Sequence, residues 1–383
     1  MKAQKRIVIV LVALLLTLCQ PVTYAAQDIV LHRIYEAALD LPRIYFTLKR
    51  TPESPALGAD SDTTNYAFLD TGASGLLLSR ETADTLGISL DPKAQFADVG
   101  IGGTELFSVS EPLYLGLAGF NANPSDSSTY KFIGPGRFQV KKAAAGILSE
   151  PLDIIGMPAM IGRIAVLHSA ATNSLEYFTA DIKEPTDRDI PKVDFKVALN
   201  FKKFTHLSDP NNIPPLPTLA YNPVIKGLTI NRGSKSSRGD WLLDTGATIS
   251  LISTKQAAAL GLMDQNGTPL ASQAFSLPVG GIGNMVQVPG FEIDSLTIQT
   301  ITGQNLIFKN VRLGVHDIRY FDEEKGKLIT IDGVFGSNFL CASAKMESLF
   351  PSEVSETMFE YIVIDMKKGT LGFDLLDNNK NRN

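Results

Sequence analysis

Phe68-Leu69-Asp70-Thr71-Gly72-Ala73 and Leu242-Leu243-Asp244-Thr245-Gly246-Ala247 are two versions of one phrase: apolar residues of strand character, a lone aspartate, a threonine, and a glycine that permits a sharp turn. One copy alone reads as a tight turn whose aspartate caps nearby backbone donors. Two copies in matched apolar surroundings read differently. Two carboxylates brought face to face share a single proton, so one partner serves as base while the other serves as acid. Such a pair can activate water.

The likeness extends outward from the aspartates. Aligned without a gap, LDTGASGLLLSRETADTLGI (residues 69–88) and LDTGATISLISTKQAAALGL (residues 243–262) agree at about half their positions, including Ser79 with Ser253, Ala83 with Ala257, and Leu86-Gly87 with Leu260-Gly261. Each copy predicts a strand, a sharp turn, a second strand and a short helix ending at glycine. A duplicated unit is the simplest account. Upstream, the alternating runs at 43–48 and 223–230 each lead into the aspartate strand, a hairpin pattern.

Downstream, Val99-Gly100-Ile101-Gly102-Gly103 answers Val279-Gly280-Gly281-Ile282-Gly283, each followed by an alternating strand. Glycines between apolar residues suit a mobile hairpin tip, and their recurrence after both aspartates marks them as candidate flaps over a substrate. Further on, Leu152-Asp153-Ile154-Ile155-Gly156-Met157 parallels Ile331-Asp332-Gly333-Val334-Phe335-Gly336-Ser337, and a strand, turn and strand at 164–178 parallels another at 361–373.

The landmarks divide the chain into residues 1–26, a first lobe at 27–181, a Pro- and charge-rich connection at 182–217, and a second lobe at 218–383. The apolar middle of the connection, 193–199, is expected to add a strand linking the lobes, and 121–130 to be a surface insertion. Residues 27–41 fit either a short activation segment or a first strand.

The opening residues read as a cleavable export signal: Lys2, Lys5 and Arg6, an uncharged run from Ile7 to Leu18, then Ala25 and Ala26. A periplasmic or secreted protein is expected. The apolar run is shorter than the ~20 residues a spanning helix needs, so no membrane span remains after signal removal. A retained anchor helix and a lipid anchor at Cys19 are the other readings, although Leu18 before Cys19 is bulkier than lipid processing prefers. After cleavage Cys341 is the sole cysteine, so no internal disulfide is available, and its apolar setting suits a small buried hydrophobe. The 383-residue chain is 44% hydrophobic, enough for two ordinary cores, and its net charge of -5 argues against a nucleic-acid surface.

Taken together, the motifs resemble the aspartic peptidases of the pepsin and retropepsin group across nearly the whole mature chain. Ala73 and Ala247 stand where pepsins carry Ser, and the segments at 153–156 and 279–283 look retroviral. The form is similar to exported bacterial D-T-G-A proteases, here with both halves fused. The resemblance implies a mostly β, bilobal acid-protease fold, two retropepsin-like β-barrel lobes related by a pseudo-twofold axis with the active site at the seam. It implies an aspartic endopeptidase with Asp70 and Asp244 as the catalytic pair, Thr71 and Thr245 locking the loops beneath them, and Gly72 and Gly246 admitting backbone close to the carboxylates. Gly100, Ile101, Gly102 and Gly103, with Gly280, Gly281, Ile282 and Gly283, would be the flaps. No metal or cofactor is implied; the partner would be a peptide or unfolded protein, and the chain a monomer.

Two departures matter. Ala73 and Ala247 lack the hydroxyl that Ser offers an ionised carboxylate, so the expected working pH is mildly acidic to neutral. Pepsin-like flaps present a Tyr, and none lies between Phe96 and Phe107. Both halves carry a glycine-rich candidate instead, which suggests a two-sided cover or one vestigial copy. The alternative of another class is a silent peptide-binding protein that holds an extended segment by strand addition. Other chemistries lack their parts: His32, His168, His206 and His316 are scattered without H-E-x-x-H, and neither G-x-S-x-G nor a phosphate loop is present. Trp241 is expected in the core of its strand.

Overall fold

The structure is a computed structural model that describes residues 28–32, 34–58, 65–142, 152–169, 177–204, 211–322, 325–347 and 350–376. The expected export signal and Cys19 lie outside the described residues. Strands dominate: among the described residues, 22 of them join in one hydrogen-bonded network, beside a three-stranded and a two-stranded sheet.

Alternation decides which way each strand faces. In Arg43–Lys49, Ile44, Phe46 and Leu48 point inward and are fully buried, while their neighbours are half-exposed. Each such side chain contributes about 1.5–3 kcal/mol by leaving water. This strand pairs antiparallel with Tyr66–Leu69, with Arg43 opposite Phe68. In the second half Asn222–Arg232 pairs with Lys235–Asp244, with Val224 opposite Leu242. Both expected hairpins therefore form, and each delivers an aspartate at its end.

The helices are equally matched. Ser79 caps Arg80–Thr85 (α1) by accepting the Thr82 N–H, and Ser253 caps Thr254–Ala259 (α2) by accepting the Gln256 N–H. Both stop at a glycine in the left-handed region, Gly87 at φ 62° and Gly261 at φ 68°.

Between the halves runs an antiparallel sheet in the order Thr179–Lys183, Ile164–His168, Phe359–Asp365, Thr370–Leu375, Phe195–Lys202. The strand Phe195–Lys202 also pairs with Asn222–Arg232, so the apolar middle of the connection does link sheets. Of residues 27–41, Ile29–His32 and Ala37–Ala38 are strands. Ile29–His32 lies parallel to Asn305–Val315, and Ala37–Ala38 pairs with Ser343–Met346, so both add to the second half. Ile29, Leu31 and Ile34 are buried there, and the fully buried Glu36 meets Arg312 at 3.2 Å. Trp241 is completely buried, as its strand position suggested.

Candidate active site

Each aspartate ends a strand that is held from below by a parallel one. Leu69 lies opposite Ile155, and the Asp70 N–H donates to the Ile155 carbonyl (3.0 Å). Asp244 lies opposite Gly336 in the same arrangement. The chain then turns over the supporting strand: the Met157 N–H donates to the Ala73 carbonyl (2.9 Å), and the Ser337 N–H to the Ala247 carbonyl (2.8 Å). A Cβ at Gly156 would collide with the carbonyls of Gly75 and Ala73, which explains the glycine that closes each apolar-apolar-Gly segment.

The threonines join the two turns. The Thr71 N–H donates to Thr245 Oγ1 (3.0 Å) and the Thr245 N–H to Thr71 Oγ1 (3.1 Å). Each hydroxyl then donates across the seam, Thr71 Oγ1 to the Leu243 carbonyl (2.7 Å) and Thr245 Oγ1 to the Leu69 carbonyl (2.5 Å). Both threonines are fully buried, so these four bonds fix one turn against the other without competition from water.

Above this brace the carboxyl groups of Asp70 and Asp244 stand within hydrogen-bonding reach of each other. A Cβ on Gly72 would run into the Asp244 carboxyl, and one on Gly246 into that of Asp70, so the approach needs glycine at both positions. Burial raises the pKa of both carboxyls. Asp244 is pushed up further by the negative charge of Asp70 and drawn back by the N–H groups of Gly246 and Ala247, whereas Asp70 is drawn back by hydrogen bonds from Asp244 and from the N–H groups of Gly72, Ala73 and Gly246. Asp70 Oδ1 accepts from Gly72 (2.7 Å) and Ala73 (3.0 Å), and Asp244 Oδ1 accepts from Gly246 (3.0 Å). Both carboxyls are thus held toward the protonated form, Asp244 the more strongly, an arrangement in which the pair can share one proton.

The two glycine-rich segments come together. Leu90–Gly100 and Gly103–Ser110 form a hairpin with Ile101-Gly102 at its tip, and Phe275–Val279 and Val286–Gln299 form another with residues 280–285 at its tip. The Gly102 N–H donates to the Ile282 carbonyl (3.0 Å), and the Asn284 N–H to the Gly102 carbonyl (3.2 Å). Gly103 (φ 104°) and Gly283 (φ 94°) adopt backbone that other residues resist. Gly281 lies against the Ile101 side chain and Gly100 against Ile282, while Gly280 neighbours Met285. Each tip is also held by the other half: His316 Nε2 meets the Ile101 carbonyl at 3.0 Å, and Glu105 accepts the Gly283 N–H (3.2 Å).

Three supporting residues escape sequence reading. Asn222, at the start of a strand and fully buried, donates its side-chain amide to the carbonyls of Thr71 (2.9 Å) and Gly72 (2.8 Å). Ser337 donates its hydroxyl to the Thr245 carbonyl (2.7 Å). Asp153, noted in sequence only as part of a repeated segment, accepts the Ser79 N–H (2.7 Å) and the Thr82 hydroxyl (2.6 Å) and so anchors α1; burial pushes its carboxyl up to about 6. The signal for Ser337 was its place after the repeated glycine. Asn222 offers only its place before Pro223.

Elsewhere, a cavity of about 370 Å³ lined by Phe120, His168, Lys183 and Tyr361 among others shares no residue with the aspartate turns. Its lysines are already paired, Lys183 with Asp181 and Asp189 and Lys131 with Asp187. Cys341 is buried and its thiol is pushed up to about 12 by burial, which makes it inert packing.

Residues 228–339 match the family model described as aspartyl protease, a span that includes Asp244 and the second candidate flap. This match supports an aspartic protease. Among solved structures, the crystal structure of basic 7S globulin from soybean is similar at 9% sequence identity and a TM-score of 0.42, covering 90% of this chain and 99% of that one. No curated protein sequence matches the chain.

Proposed function

We propose that the chain is an aspartic endopeptidase in which Asp70 and Asp244 activate a water molecule for attack on a peptide carbonyl. The observation that carries this reading is the meeting of the two carboxyl groups over the reciprocal threonine brace. The ionised Asp70 takes a proton from water as the water oxygen attacks the carbonyl carbon, and the protonated Asp244 donates to the carbonyl oxygen. Collapse of the resulting diol returns a proton to the leaving amine and breaks the C–N bond. No covalent intermediate forms on the protein.

The paired tips cover the cleft from both halves and hold an extended peptide against the aspartates. The halves act as two lobes related by a pseudo-twofold axis, a reading supported by equal strand register beneath each aspartate. The substrate is a peptide or unfolded protein, the chain works as a monomer, and the leader at residues 1–26 directs it to the periplasm or out of the cell. With both carboxyls raised and no hydroxyl at Ala73 or Ala247, the working range is mildly acidic to neutral.

The mature protein is expected to cleave unfolded casein with its maximum above about pH 4, and a statine-type mimic of the hydrated carbonyl is expected to block it. Digestion with a maximum near pH 2 and none near pH 6 contradicts the environment argued for the pair. Absence of cleavage at every pH, with the mimic still bound, indicates a silent binder.

A further inference from the structure

The amide of Asn222 reaches the peptide groups that hold Asp70. Its nitrogen donates to the Thr71 carbonyl, whose peptide partner is the Gly72 N–H, and to the Gly72 carbonyl, whose peptide partner is the Ala73 N–H. Those are the two N–H groups that donate to Asp70 Oδ1. Two acceptors at this distance admit only the amide nitrogen, which settles how the side chain is turned. A peptide whose carbonyl accepts a hydrogen bond becomes a better N–H donor, so two polarised chains converge on one carboxylate oxygen.

The second half is built differently. Ser337 Oγ donates to the Thr245 carbonyl, whose peptide partner, the Gly246 N–H, donates to Asp244 Oδ1. That is a single chain. The next N–H, of Ala247, donates to the Asp244 backbone carbonyl (3.3 Å) and also acts on the Asp244 carboxyl, and the Gly246 N–H acts on both carboxyls, so the halves differ in the relays behind those N–H groups, two behind Asp70 and one behind Asp244. The residues that could equalise the halves do not: strand register puts Met157 in the place of Ser337 and Leu41 in the place of Asn222, and neither side chain carries a hydrogen-bond donor.

We propose that Asn222 and Ser337 are positioning residues that make the two aspartates unequal, two relayed chains from Asn222 placing the negative charge on Asp70 and one chain from Ser337 leaving the proton on Asp244. The inference rests on the peptidase reading and adds which residues make Asp70 the base and Asp244 the acid. The titratable groups around the two turns are Asp153 and Asp332, each just before a supporting strand, and Glu36 and Asp40, which flank the strand Ala37–Ala38. Asp98 faces Gln139, Tyr221 adjoins Asn222, and the cover tips bring Glu105, Lys141 and His316. None is among the chief influences on either carboxyl, where the only titratable partner is the other aspartate.

As pH rises the pair loses its first proton from Asp70 and its second from Asp244. Asn222→Ala is therefore expected to move the acid limb of the kcat/KM profile upward by about half to one pH unit, a ~3- to 10-fold change in proton affinity, with little movement of the alkaline limb. Ser337→Ala is expected to raise the alkaline limb and leave the acid limb in place. Met157→Ser in the Asn222→Ala background supplies one hydroxyl to the Thr71 carbonyl and is expected to recover part of the acid-limb shift. The same two ionisations are read without substrate by carbon-13 NMR of aspartate carboxyls, with Asp70→Asn and Asp244→Asn used for assignment and Asp153→Asn removing the neighbouring signal.

Opposite limbs moved by the two variants, in turnover or in NMR, support the proposal. Equal shifts of one limb by both variants, or lowered thermal midpoints with neither limb moved, overturn it. A wild type that never turns over contradicts the peptidase reading alone, because the NMR titration still reports which carboxyl ionises first.

Discussion

At the scale of single residues, the site depends on atoms that folding, not composition, makes available. Asp70, Asp244, Thr71, Thr245, Gly72 and Gly246 were legible because the same six-residue phrase recurs, and chemistry that needs two equal parts leaves two equal traces. Asn222 was not legible, since its value lies in two carbonyl groups supplied by a turn some 150 positions away. Asp153 is intermediate, visible as part of a repeat but not as a buried anchor of α1. Its carboxyl, raised to about 6 by burial, carries a sign that can be worked out. The unfolded value is near 4, so between about pH 4 and 6 the folded state binds more protons and stability falls as pH rises. The stabilisation is fully present below about pH 4 and is lost through pH 6. Two units correspond to about 3 kcal/mol. Asp153→Asn should therefore gain on the wild type by that order between pH 4 and pH 7 in urea unfolding. A stability difference that does not change with pH contradicts the assignment.

At the scale of elements, the duplicated hairpins and capped helices followed from alternation, Ser caps and terminal glycines, all local signals. The parallel pairing of Ile29–His32 with Asn305–Val315 did not, because no local pattern says which distant edge a short strand will join. That pairing makes Ile29–His32 a strand of the second half. The meeting of the two tips was likewise beyond sequence, although the glycines were not. It yields a test: a Cβ at Gly102 would strike the backbone of Asn284, so Gly102→Ala should part the tips. The Asn284 amide, which donates to the Gly102 carbonyl, is then expected to exchange with solvent ~10-fold faster, and KM for an extended peptide to rise several-fold. Unchanged exchange at Asn284 would mean that the tips do not hold each other in solution.

At the scale of the whole molecule, the parts serve one purpose: two hairpins deliver two carboxyls, four threonine bonds fix their separation, and a shared sheet ties the halves. Groups that act as a unit lose their function together, and the loss is not multiplied when both are removed. The most direct measurement compares turnover of casein by Asp70→Asn, Asp244→Asn and the double variant, each with its thermal midpoint. Each single change is expected to cost at least ~10³-fold, the double change no more than either, and all three proteins to remain folded. Retention of substantial activity by either single variant, or losses that multiply in the double variant, would contradict a single proton shared between Asp70 and Asp244.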